Sequence, residues 1–151
     1  MKPRSRREFI GAAAPFAGVF ALPALSTAVE AATTPYQRPK LKITDVRTAE
    51  VRVHGYQVHV RIYTDQGVIG QGECTDAAQG AVPIIRSFRR ALIGQDPLNV
   101  EALWERLRTF GIFAGAQGGQ YTTALTGVEI ALWDLAGKAT GLPGYQRLGG
   151  R

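Results

Sequence analysis

The chain has 151 residues and a mass of 16.3 kDa, which at the usual ~100 to 200 residues per domain gives room for one domain and excludes a complete large enzyme. Its residues are 45% hydrophobic and 20% charged, enough to bury a core, while the single Cys74 excludes an intramolecular disulfide framework and a cysteine-based structural zinc site. Lys+Arg 18 against Asp+Glu 12 leaves +6, but apart from Arg86, Arg89 and Arg90 the cations are scattered, so no nucleic-acid partner is expected.

In chain order, Met1 to Arg7 is a basic head and Phe9 to Leu25 an apolar run broken by Pro15 and Pro23. At roughly seventeen residues with two prolines it suits a cleavable leader better than a membrane anchor. Ser26-Thr27-Ala28 then offers a small-x-small cleavage site. The segment Ser5-Arg6-Arg7-Glu8-Phe9-Ile10 resembles a twin-arginine translocation signal, with Gly11 where a lysine is often found. That resemblance implies a signal peptide over residues 1–31, with Arg6 and Arg7 as its recognition element and cleavage near Ala28. It also implies a periplasmic or secreted destination and no membrane attachment after cleavage.

Residues 32–40, with Pro35 and Pro39 and no apolar periodicity, read as a linker. Leu41 to Val53 is rich in Ile, Val and Thr, and its alternation of Ala49, Val51 and Val53 with Glu50 and Arg52 predicts a half-buried strand. His54-Gly55-Tyr56 breaks it. Gln57 to Thr64 predicts a second strand with Val58, Val60 and Ile62 on one face, Asp65-Gln66-Gly67 is hairpin chemistry, and Val68 to Cys74 completes an antiparallel meander.

Helical spacing follows Gly80, with Ala81, Ile84, Ile85, Phe88 and Leu92 on one stripe, Pro83 in the first turn and a stop at Gly94. Asp96-Pro97 predicts the N-cap and first turn of a second helix, striped by Val100, Leu103, Trp104 and Leu107 and ending near Gly111. After a glycine-rich loop, a third helix is expected from about Tyr121 to Thr140. Leu125, Val128, Leu132, Leu135 and Ala139 form its main stripe, while Ile130 and Trp133 lie off that stripe and need cover of their own. Three strands and then three helices make an α+β fold over residues 41–151, without an internal repeat.

Most local motifs point away from chemistry. Gly70-Gln71-Gly72 lacks the third glycine of a dinucleotide fingerprint and lies in an antiparallel hairpin, so glycines relieving crowding in a sheet are the better reading. Residues 111–119 lack the Gly-Lys-Ser/Thr of a phosphate cradle, and His54 and His59 have no local partners for a metal site. Asp134 and Lys138 suit a helix-surface ion pair.

Two longer segments are more specific: T-D-Q-G-V-I-G-Q-G-E at Thr64 to Glu73, and A-L-W-D-L-A-G-K-A-T-G-L-P at Ala131 to Pro143. With the strand-then-helix order they resemble the N-terminal capping domain of the mandelate racemase and muconate lactonizing enzyme family of the enolase superfamily. The likeness is greatest to sugar-acid dehydratases of the galactonate dehydratase type. The resemblance implies a three-stranded meander with a three-helix bundle, and a partner barrel whose carboxylates hold Mg²⁺ while a lysine or histidine removes the proton α to a carboxylate. Those groups would lie beyond Arg151, so no catalytic residue, metal ligand or cofactor is expected in this chain, and whether the chain is itself an enzyme is left open between the family's lyase and isomerase chemistry and a non-catalytic capping role. What the resemblance assigns here is closure of the pocket by Arg52 to Gln57 and Thr75 to Gln79, with His54, Tyr56, Thr75 and Asp76 as candidates for contacting a small carboxylate such as a sugar acid. Ile130 and Trp133 become the expected interface with a separate barrel chain or with a second copy. Gly144 and Arg147 stand where the family carries aliphatics that dock the tail. The alternative is a small periplasmic binding or interaction module that reuses the same α+β fold.

Overall fold

A computed structural model describes residues 37–115 and 118–150. The twin-arginine segment with Arg6 and Arg7 and most of the linker lie outside the described residues. Three strands, β1 (Ile43–Arg52), β2 (Tyr56–Thr64) and β3 (Ile69–Thr75), form an antiparallel sheet in the order β1-β2-β3. They are followed by helices α1 (Ala81–Leu92), α2 (Val100–Phe110) and α3 (Gly119–Thr140), and by a single helical turn α4 (Gly144–Arg147). A 3₁₀ turn, Ile112–Ala114, stands between α2 and α3.

One face of the sheet carries the core. Val58, Val60 and Ile62 of β2 are buried in one cluster with Ile85 and Phe88 of α1, Leu103 and Leu107 of α2, and Leu125, Val128, Leu132 and Leu135 of α3. The alternation in β2 is therefore as expected, with His59 and Arg61 on the open face. The same inference fails in β1. Val46 and Thr48 lie opposite Ile62 and Val60, on the core side, which turns Ala49 and Val51 to the open face, and Val53 beyond the strand is 69% exposed. A register irregularity between Ile43 and Asp45 changes the phase of the alternation near the start of the strand.

The two glycines of Gly70-Gln71-Gly72 let α3 lie directly on β3. A Cβ at Gly70 would sit 2.1 Å from the Ala131 carbonyl oxygen, and one at Gly72 2.2 Å from that of Gly127. Asp134 and Lys138 do pair, at 2.5 Å, and they also finish the outer edge of β3. The Asp134 carboxylate accepts the Gln71 N–H at 2.8 Å and the Lys138 ammonium donates to the Ile69 carbonyl at 3.0 Å. Two backbone groups that the edge would otherwise leave free are thereby satisfied.

Helix α1 has the expected bounds, but α2 starts later than Asp96-Pro97 suggested. Asp96 accepts the Leu98 N–H at 2.9 Å and its carbonyl the Asn99 N–H at 3.3 Å, forming a turn of its own before Asn99 caps the helix. Helix α3 begins at Gly119 and ends on Gly141, whose φ of 68° is the left-handed C-cap conformation.

Candidate functional site

The two loops singled out in the sequence come together at one end of the sheet. Residues 53–55 join β1 to β2, and the turn after β3 lies beside them because Gln57 and Thr75 pair across the β2–β3 ladder. One step further on, the Asp76 N–H donates to the Tyr56 carbonyl at 2.7 Å. His54 and Thr75 are exposed, and Tyr56 is 38% exposed with the Arg52 guanidinium 4.8 Å above its ring centre. These three side chains offer an imidazole, a phenol and a hydroxyl to solvent along one rim.

Asp76 has a different place from its neighbours. It is 4% exposed, and its carboxylate accepts the Gly80 N–H at 2.9 Å, the Ala81 N–H at 3.1 Å and the Gln120 side-chain amide. It thus satisfies backbone donors at the start of α1, where Gly80 has no side chain to do so, and ties that helix to the first turn of α3. Its contribution to the rim is to hold the turn rather than to present a carboxylate to solvent.

The turn closes with the Gln79 N–H on the Asp76 carbonyl at 2.9 Å, and Gln79 takes a φ of 55°. Left-handed backbone at a residue other than glycine is costly and persists where the surroundings over-determine it. Sequence reasoning names Gln79 only as the end of a loop and does not single out Gln120. Neither carries a local signal, since glutamine is not a usual left-handed residue and the link from Gln120 to Asp76 spans the whole helical layer. The cap could have been suspected from an aspartate shortly before an apolar helical stripe.

The carboxylates nearest to hand do not suit a divalent metal. Asp76 is engaged by backbone and amide donors, Asp45 is bonded to Arg47 and Arg89, and Asp134 is bonded to Lys138 and Gln71. No group of three His, Cys, Asp or Glu side chains is clustered among the described residues. The described residues therefore do not fit the Mg²⁺ that the family resemblance places in a barrel.

Ile130 and Trp133 lie together on a second surface, where α3 meets the tail. Ile130 is 46% exposed. Trp133 is half-buried against the edge of the core, with the Arg147 guanidinium 5.8 Å over its ring. Part of the cover that Trp133 needs is thus supplied by the chain itself. Both side chains, with Gly137, Leu142, Pro143 and Leu148, line an open groove of about 620 Å³. Arg147 reaches Thr140 Oγ1 at 2.9 Å, so the residue standing where the family places an aliphatic fastens α4 to the end of α3.

Comparison with known proteins gives a consistent picture. Residues 27–149 match the model of the mandelate racemase and muconate lactonizing enzyme N-terminal domain. The chain is 39% identical over 110 residues to a D-xylonate dehydratase of Haloferax volcanii, covering 73% of this chain and 26% of that protein. It is 39% identical over 112 residues to a D-galactonate dehydratase of Verminephrobacter eiseniae, covering 73% and 28%. Among solved structures, a mandelate racemase/muconate lactonizing enzyme-like protein from Rubrobacter xylanophilus matches with a TM-score of 0.69 and 44% identity, over 74% of this chain and 28% of that one. The chain therefore spans about a quarter of the length of the relatives it matches.

Proposed function

Because the chain belongs to the mandelate racemase and muconate lactonizing enzyme N-terminal domain family, we propose that it works as the capping, substrate-selecting domain of a sugar-acid dehydratase-like enzyme. The observation that carries this reading is the meeting of the Arg52–Gln57 hairpin and the Thr75–Gln79 turn at one end of the sheet, held by Asp76. His54, Tyr56 and Thr75 stand outward there as hydrogen-bonding groups, suited to a polyhydroxylated carboxylate of the kind named in D-xylonate and D-galactonate dehydratase. Loops on a rigid sheet are the usual carriers of specificity.

The acid, base and metal ligands belong in this proposal to a barrel outside the described residues. The surface that meets the barrel is the groove of Ile130, Trp133, Leu142 and Leu148, whether that barrel is joined to this chain or separate from it. Export through Arg6 and Arg7 fits the same scheme, since the family match begins at residue 27, beside the proposed cleavage at Ala28. Substituting Arg6 and Arg7 by Lys should then retain the precursor in the cytoplasm, and unchanged processing would remove the export proposal.

The docking surface is tested by titrating the full chain with the separately produced barrel portion of a D-galactonate dehydratase. Saturable binding that Ile130→Lys weakens supports the proposal. Absence of binding, or binding indifferent to Ile130→Lys, contradicts it. Ile130 is the better probe than Trp133 because Trp133 also packs against the core.

A further inference from the structure

Parts of the sheet's rim are closed by the chain itself, and a stretch of β1 is not. Val46 fixes the phase of that edge: its N–H donates to Asp45 Oδ1 at 2.9 Å and its carbonyl accepts from the Arg89 guanidinium, so its backbone groups point away from β2. Orientation alternates along an antiparallel strand, and Thr48, Glu50 and Arg52 therefore also present N–H and C=O outward. Several other positions of the rim are occupied. Ile43 bonds Gln95 and Gly94 at 2.9 and 2.8 Å, Arg89 covers Val46, and Asp134 with Lys138 takes the Gln71 N–H and the Ile69 carbonyl of β3. The outward backbone groups of Thr48, Glu50 and Arg52 have no backbone bond to another element among the described residues.

In this stretch Ala49, Glu50 and Arg52 are exposed and Thr48 and Val51 are half-buried. Glu50 and Arg52 are 56% and 61% exposed and form only a loose pair at 3.8 Å. The apolar alternation of Ala49, Val51 and Val53, which the core does not use, emerges on the open face. An unsealed edge with apolar side chains is a template for another strand.

We propose that this edge pairs with the same edge of a second copy of the chain, antiparallel about a two-fold axis at Val51, joining the two sheets into one. Charge selects the register. Outward-facing residues must lie opposite one another to exchange backbone bonds. A pairing centred on Glu50 sets the two Glu50 carboxylates against each other, which is unfavourable. A pairing centred on Ala49 would bring Arg52 against Val46, whose carbonyl Arg89 already occupies. Centring on Val51 sets each Glu50 opposite Arg52 of the second copy, about four backbone bonds in all. It also sets the two Val51 side chains together on the open face, with Cβ atoms roughly 5 Å apart, and Ala49 beside Val53 of the other copy. The two Arg89-covered halves are then carried to opposite ends, roughly 30 Å apart, so the helices of the two copies do not collide. This surface is separate from the α3 groove and does not depend on the capping role.

Oxidative cross-linking of the full chain tests the arrangement. Val51→Cys should give a disulfide-linked dimer under conditions in which Gln71→Cys, on the open face of β3, and the parent chain with its buried Cys74 remain monomeric. Sedimentation should show loss of the dimer in Glu50→Arg and in Arg52→Glu, and its return in the double variant, where the opposed charges are exchanged. Cross-linking of Val51→Cys no faster than of Gln71→Cys overturns the proposal, as does a double variant that fails to regain the association its single variants lose. Binding of this edge to an unrelated strand in place of a second copy would overturn it too, and would appear as cross-linking of Val51→Cys to that protein alone.

Discussion

Asp76 and its neighbours decide how firmly the rim is held. Replacing Asp76 by Ala frees the Gly80 and Ala81 N–H groups inside the structure, and should cost about 2 to 4 kcal/mol in denaturant unfolding. Asp76→Asn, which keeps one acceptor oxygen, should lose less. Gln79→Gly should leave stability unchanged or raise it by up to about 1 kcal/mol, because relief of the left-handed conformation is partly offset by a more flexible unfolded chain, and a clear loss would argue against a strained turn. Burial, and then the charges of Asp76 and Glu73, push the Cys74 thiol up to about 11. The folded protein therefore favours the neutral thiol: this contribution to stability is complete below the ordinary thiol range and falls as pH rises toward 11. Alkylation of Cys74 at neutral pH should be slow until the chain is unfolded. At this scale the sequence identified His54, Tyr56, Thr75 and Asp76 as polar residues of two loops, but not that Asp76 faces inward. Its partners Gly80 and Ala81 are near in sequence, whereas Gln120 is reached only through the packing of α3.

Element by element, the strongest sequence signals were those with both a period and a stop. Helix α1 has its stripe and Gly94, α3 its stripe and Gly141, and both have close to the expected bounds. Signals with a single cause were less secure. Asp96-Pro97 has the chemistry of a helix start but is used for a preceding turn, and the alternation in β1 gives a period without saying which face is covered. Ala49 and Val51 are apolar and outward because the irregularity near Ile43 sets the phase, and no property of either side chain reports that. Gly70 and Gly72 were legible as sheet glycines, and the structure supplies the reason in the closeness of α3. Gly72→Ala should therefore destabilise by at least about 1 to 3 kcal/mol in thermal or denaturant unfolding, since the obstacle is the backbone of Gly127 and Ala131 rather than a movable side chain. A substitution tolerated without loss would mean that α3 does not rest on β3 as described.

For the whole molecule, family and fold were legible because the Ala131 to Pro143 segment combines a buried helix face, the Asp134 and Lys138 positions that bond β3, and a glycine stop in one run. The pocket chemistry was not, because the chain spans only about a quarter of the relatives' length, and the proposed division of labour assigns acid, base and metal ligands to the remainder. Titrating the chain with Mg²⁺ should accordingly show no tight site, and sugar acids should remain unchanged in its presence; turnover by purified chain would overturn the division of labour. The central claim is that residues at the hairpin end of the sheet choose the substrate. The most direct measurement replaces the corresponding domain of a D-galactonate dehydratase with residues 37–150 and compares kcat/KM across a panel of sugar acids for the chimera and for its His54→Ala, Tyr56→Phe and Thr75→Ala variants. The account predicts Mg²⁺-dependent dehydration whose ranking of substrates changes in at least one of these variants while folding does not, whereas an active chimera whose ranking is identical in all three would contradict it.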